Sequence, residues 1–164
     1  MNTPPPTRSC VLVLNNIRSV HNVGSLLRTA DAAGVSRVVL VGYTPAPIDR
    51  FGRKRADLAK VALGAELSVS WSQEETLLGA VAKLHAEGHV ILALEQAPQS
   101  VSLFEYKTPE QKPMALILGS EPEGLSQEEL SLADTVLEIP MSGKKESLNV
   151  SVAGGIALFV LLKT

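Results

Sequence analysis

Apolar residues fall along this chain in blocks of two kinds. Short continuous runs at residues 10–17 (CVLVLNNI), 37–41 (RVVLV), 89–94 (HVILAL), 114–118 (MALIL) and 135–139 predict buried strands. Residues 19–34 instead place Val23, Leu26, Leu27, Ala30 and Ala33 at helical spacing, with Gly34 as the natural stop. Strand, helix, strand over about thirty residues is a βαβ unit, right-handed by default. Further on, residues 53–63 predict a short helix stopped at Gly64 and residues 67–71 a short strand. Ser72 with Glu75 reads as the capping box of a helix reaching about Glu87 and closed by Gly88. A short helix at 126–133 and a very apolar one at 148–162 complete the alternation. Strands and helices alternating from end to end predict one α/β domain on a parallel sheet.

Composition sharpens this picture in three places. Apolar residues make up 45% and aromatics only 4%, so the core is aliphatic. The single cysteine, Cys10, excludes an internal disulfide and a thiolate cluster, which fits a reducing, cytoplasmic setting. Residues 1–9, with three consecutive prolines and no apolar segment, predict a disordered lead-in and no signal peptide, leaving 10–164 as the domain. The apolar segment 150–162 falls short of the ~20 residues of a membrane-spanning helix, so a buried helix is expected and no membrane partner.

A net charge of −2 gives no support for nucleic-acid binding by itself. Its distribution is less even: Arg50, Arg53, Lys54, Arg55 and Lys60 face only Asp57 within one segment, while residues 121–138 carry acids alone. The basic segment predicts either a phosphate-binding patch or a solvated helix face. Neither a phosphate-binding Walker loop, a G-x-G-x-x-G fingerprint, a G-x-S-x-G elbow nor a metal-binding His or Cys pattern occurs in the sequence.

Three loops carry more polar chemistry than turns require. In the first, Asn22 and Gly24 lie near a helix start, where free N–H groups attract anions, and Arg28 follows within the helix. Taken alone, Arg28 reads as a surface ion-pairing residue. In the second, a strand runs into Gly119-Ser120-Glu121, setting a carboxylate beside an open backbone. In the third, Ser147, Asn149 and Ser151 alternate with apolar residues where the last helix begins; Ser147 is the expected N-cap. Asn149 is expected to be buried and to need a partner, and Gly154-Gly155 to allow a close approach by ligand or partner chain.

Together the blocks RSVHNVGSLLRTADAAGV, LILGSEPEGL and IPMSGKKESLNVSVAGGIALF resemble the SPOUT superfamily of RNA methyltransferases, in its SpoU/TrmH branch. They stand in family order and the resemblance covers residues 11–162. It implies an α/β knot, a single parallel-sheet domain with a deep C-terminal trefoil knot. It implies S-adenosylmethionine as cofactor, held by Leu94, Glu95, Gly119, Ile139, Met141 and Leu148, and a homodimer with the last helix in its interface. It also implies transfer of a methyl group to a ribose 2′-hydroxyl of RNA, with Arg28, Asn22, Glu121, Ser147 and Asn149 on the family's functional positions. Arg28 then handles the reacting hydroxyl, held in place by Asn22 and Glu121. Transfer RNA is the expected substrate class, ribosomal RNA the rival, with Arg50, Arg53, Lys54, Arg55 and Lys60 as RNA contacts. A non-catalytic RNA-binding or cofactor-binding module of the same fold is the alternative from another class.

Overall fold

A computed structural model describes residues 9–109 and 112–162. Thirteen elements follow in the order β1 (Cys10–Asn15), α1 (Val20–Ala33), β2 (Arg37–Val41), α2 (Ala56–Ala62), α3 (Ala65–Ser68), β3 (Trp71–Glu74), α4 (Leu77–Ala86), β4 (Val90–Leu94), β5 (Val101–Ser102), β6 (Met114–Leu118), α5 (Gln127–Leu130), β7 (Thr135–Glu138) and α6 (Val150–Leu162). The strands form one seven-stranded sheet in the order β3-β2-β1-β6-β4-β7-β5, and every pairing is parallel.

Strand residues alternate between two covered faces, which is why the central strands read as unbroken apolar runs. On one face Leu12, Leu14, Leu116 and Leu118 pack with Val23, Leu26 and Leu27 of α1 and Ala157, Leu158 and Leu161 of α6. On the other, Val11, Val13, Ala115 and Ile117 pack with Leu77, Val81 and Leu84 of α4. Cys10 sits at 0% exposure in the first cluster, and burial pushes its thiol up to about 12, so it packs as a small neutral hydrophobe.

Several boundaries differ from the sequence expectation, each for a local reason. Residues 65–68 form α3 and the strand follows it at Trp71–Glu74. This strand lies at the sheet edge, so it needs no apolar run, and Ser72 belongs to it instead of capping a helix. The cap of α4 is Thr76, whose hydroxyl accepts the Gly79 N–H at 3.1 Å. Residues 53–55 stay outside α2, since Lys54 forms an antiparallel bridge with Ile48. The helix expected over 126–133 shrinks to Gln127–Leu130, closed by a Ser126–Glu129 capping box. The two-residue edge strand β5 carries no sequence signal of its own. Of the expected lead-in, residues 1–8 lie outside the described residues, while Ser9 already accepts the Met114 N–H at 2.9 Å. No described helix is long and apolar enough to cross a membrane.

The glycine pair in α6 resolves into two different environments. A Cβ on Gly154 would lie 2.6 Å from Leu118 Cδ1 and 2.8 Å from Leu26 Cδ2, both in the packed core. The close approach is therefore to β6 and α1 of the same chain. A Cβ on Gly155 would meet only Thr29 Cγ2, at 3.5 Å. We expect Gly154→Ala to lower stability by about 1–3 kcal/mol through overpacking. Gly155→Ala should be neutral or stabilise by up to about 1 kcal/mol through helix propensity. Urea midpoints of the two variants check this, and equal effects would remove the packing explanation.

Candidate active site at the ends of β4, β6 and β7

Three loops leave neighbouring parallel strands at their C-terminal ends, the position where open α/β sheets build sites. The loop after β6 turns back at once: Gly124 N–H donates to Ser120 O at 2.8 Å. Gly119 makes this possible, because a Cβ there would lie 2.9 Å from Leu125 N and 2.8 Å from the Gly124 carbonyl carbon. Glu95, just past β4, fixes the fold of that loop by accepting the Leu125 N–H at 3.0 Å. Its neighbour Gln96 donates from Nε2 to Glu146 O at 2.8 Å, tying in the segment after β7.

Between these loops lies a cavity of about 380 Å³. All six residues expected to hold a cofactor, Leu94, Glu95, Gly119, Ile139, Met141 and Leu148, line it, together with Glu121 and Ser147. Its wall mixes apolar residues with polar ones, among them Glu95, Gln96, Glu121, Glu138 and Ser147. Gln96, Ser120, Pro122, Glu138, Val150 and Ala153 also line it and were not anticipated. Their signal in the sequence is adjacency: each lies within a few residues of a strand end or helix start already singled out.

A hydrogen-bonded network adjoins the cavity. Glu121 Oε1 accepts the N–H of Val150, the first residue of α6, at 2.8 Å, where a carboxylate complements the helix dipole. Asn22 Nδ2 donates to Glu121 Oε2 at 3.3 Å, and Asn149 Nδ2 donates to Asn22 Oδ1 at 3.2 Å. Asn149 Oδ1 accepts from the Ser151 N–H at 2.9 Å and from its hydroxyl at 2.6 Å. Four of the five residues expected on functional positions are thus placed together at one sheet end, Ser147 through the cavity wall.

Three expectations are corrected here. Asn149 is exposed, and capping does account for its carbonyl oxygen, so the cap of α6 is Asn149 and not Ser147. Asn22 and Glu121 do not hold Arg28, because their polar groups are spent on each other, on Asn149 and on the start of α6. Arg28 is exposed on α1, outside the cavity wall, with no hydrogen bond or ion pair among the described residues.

The basic segment is largely self-neutralised. Arg53 pairs with Asp49 at 2.8 Å, Arg55 with Asp57 at 2.7 Å and Lys54 with the buried Glu66 at 3.0 Å. The Lys54 ammonium holds the Glu66 carboxyl below the usual carboxylate range, against the opposing pull of desolvation. Arg50 and Lys60 have no ion pair among the described residues. Among those residues no group of three or more His, Cys, Asp or Glu is placed to hold a metal ion.

The sequence matches the SpoU rRNA Methylase family over residues 9–159. A protein of Ralstonia nicotianae named 23S rRNA (guanosine-2'-O-)-methyltransferase RlmB is 38% identical over 150 residues, 91% of this chain and 56% of that protein. The chain therefore spans just over half the length of the curated relatives it matches. Among solved structures, the AdoMet-bound rRNA methyltransferase of Sinorhizobium meliloti superposes with a TM-score of 0.84 at 29% identity, over 96% of this chain and 57% of that one. The TrmH/SpoU tRNA modifying enzyme of A. aeolicus superposes with a TM-score of 0.78 at 27% identity, over 96% of this chain and 75% of that one.

Glu121→Gln provides the test of the network. The amide NH₂ would face one of two donors, the Val150 N–H or Asn22 Nδ2. Glu121 is exposed and both bonds are part-buried, so stability should fall by about 0.5–1.5 kcal/mol, the net worth of one lost hydrogen bond. Thermal unfolding reads this directly, and an unchanged midpoint would show that the carboxylate does not tie the loops together.

Proposed function

The chain belongs to the SpoU rRNA methylase family, and from that premise we propose that it transfers a methyl group from S-adenosylmethionine to a ribose 2′-hydroxyl of RNA. The observation that carries this reading is the cavity at three adjacent strand ends, lined by every residue expected to hold the cofactor. Its size suits a nucleoside-sized ligand, and its apolar side chains and exposed backbone suit an adenosine. Glu95, Glu121 and Glu138 in the wall favour a positively charged ligand. When bound, the cofactor supplies a methyl group on a cationic sulfur.

The chain's own residues position and orient. Gly119 and the loop it folds leave backbone open to the cavity, while Ser147 stands exposed at its wall. The Glu121–Asn22–Asn149 network holds the start of α6 against the site. Arg28, exposed and without an ion pair among the described residues, is free to take an RNA phosphate and to align the hydroxyl.

Relatives named as 23S rRNA methyltransferases favour ribosomal RNA as the substrate class over the transfer RNA expected from the sequence. A C-terminal knot accords with the likeness to TrmH/SpoU structures and with the bond from the first N–H of α6 to Glu121 in the loop after β6. A homodimer accords with the exposed apolar side chains Val152 and Phe159 on α6, a helix apolar on all sides. A ribosomal RNA substrate accords with the cytoplasmic setting expected from the sequence.

Incubation with radiolabelled S-adenosylmethionine and either ribosomal or transfer RNA, followed by nucleoside digestion, tests the reading. Label in a 2′-O-methylnucleoside from ribosomal RNA is expected; label on a base, or none, overturns it. In the same assay Arg28→Ala should lose about 100-fold or more in rate while calorimetric cofactor affinity is retained, and wild-type turnover would remove Arg28 from the chemistry.

A further inference from the structure

Phe51 stands 66% exposed at the tip of the segment joining β2 to α2. A lone exposed apolar side chain needs no explanation, but this one is held in place. Asp49 Oδ1 accepts the Phe51 and Arg53 N–H groups at 2.8 and 2.9 Å, and its Oδ2 accepts Arg53 Nε at 2.8 Å. Backbone bonds from Asp49 N to Arg53 O and from Gly52 N to Asp49 O close the turn at 2.8 and 2.9 Å, above the Ile48–Lys54 bridge. These bonds present the ring to solvent in one place.

Two guanidiniums lie against that ring: Arg50 Cζ is 4.7 Å and Arg53 Cζ 5.0 Å from its centroid. A second pair of the same kind sits closer to the site, with Arg18 Cζ 5.5 Å from the centroid of Tyr43, itself 52% exposed. Arg18 follows β1 and Tyr43 follows β2, so both stand at the sheet end that carries Asn22 and the cavity. Around the Phe51 loop Lys54 and Arg55 are neutralised by Glu66 and Asp57 and Arg53 is paired with Asp49, so Arg50 is the cation there without an ion pair among the described residues.

We propose that Phe51 with Arg50 and Arg53 is a stacking platform for an unpaired nucleobase of the RNA substrate. An aromatic ring bordered by guanidinium planes matches the flat faces of a base and the adjoining phosphate, and every base offers such a face once unstacked. Bases inside a duplex hide these faces, so the platform selects a single-stranded or looped region. The target ribose would then be offered from a flexible stretch of RNA with a neighbouring base anchored about the Phe51 loop. This inference rests on the ribose-methylation reading above, and its test keeps the two apart.

The probes are a fluorescent single-stranded RNA 12-mer, its duplex, and an abasic oligomer of equal charge, read by anisotropy with the full chain. Wild type should bind the single strand more tightly than the other two. Phe51→Ala should weaken single-strand binding by about tenfold or more and leave the abasic oligomer unaffected, with Phe51→Tyr restoring affinity. Arg50→Gln should instead flatten the salt dependence of binding to all three. Equal single-strand affinity for wild type and Phe51→Ala overturns the platform. So does a change in sedimentation with RNA affinity intact, which would make Phe51 a contact between copies of the chain. Methyl transfer by the same preparations separates the readings. An active wild type with an unaffected Phe51→Ala sinks the platform alone, and a wild type that neither binds RNA nor transfers methyl sinks both.

Discussion

The Glu121 carboxylate joins segments that lie far apart in sequence. One oxygen accepts the first N–H of α6, the other an amide hydrogen of Asn22 at the start of α1. Asn149 closes the circuit from the far side, capping α6 while donating to Asn22. The rest of the site follows from this tie. It fixes the N-terminus of an almost uniformly apolar helix, which would otherwise have little to set its register against the sheet. With α6 placed, Gly154 sits against Leu118 and Leu26, and the loops after β6 and β7 face each other across the cavity. Glu95 and Gln96 add the third side by bonding to both loops.

Much of this was legible in the sequence because burial on both faces writes a strand as a continuous apolar run. The central strands β1, β2, β4 and β6 and helix α1 carry that signal within a residue or two. Edge strands do not: β3 is polar toward solvent, so its sequence reads as a helix cap, and β5 is too short to read at all. The candidate cavity was legible through the resemblance of three blocks to one family, and all six expected cofactor residues line it.

The pairing of polar groups was not legible. The family resemblance implied that Glu121 and Asn22 hold Arg28, yet a carboxylate beside a helix start finds the unpaired N–H groups there first. Asn149 looked like a buried amide in need of a ligand because the helix after it is so apolar, and only the geometry reveals it as the cap. The basic segment misleads in the same way. Its charges are real, but three of them are matched by acids, one buried in the α3 start, leaving the aromatic tip of the loop as the more distinctive surface.

If the loops leaving β4, β6 and β7 bind the cofactor as one unit, hydrogen exchange measured with and without S-adenosylmethionine reads it out in all three at once. At saturating cofactor, exchange should slow in peptides covering residues 94–96, 119–125 and 139–148 together, while residues 43–55 stay unchanged. Protection absent from these loops, or confined to another part of the sheet, would contradict the account.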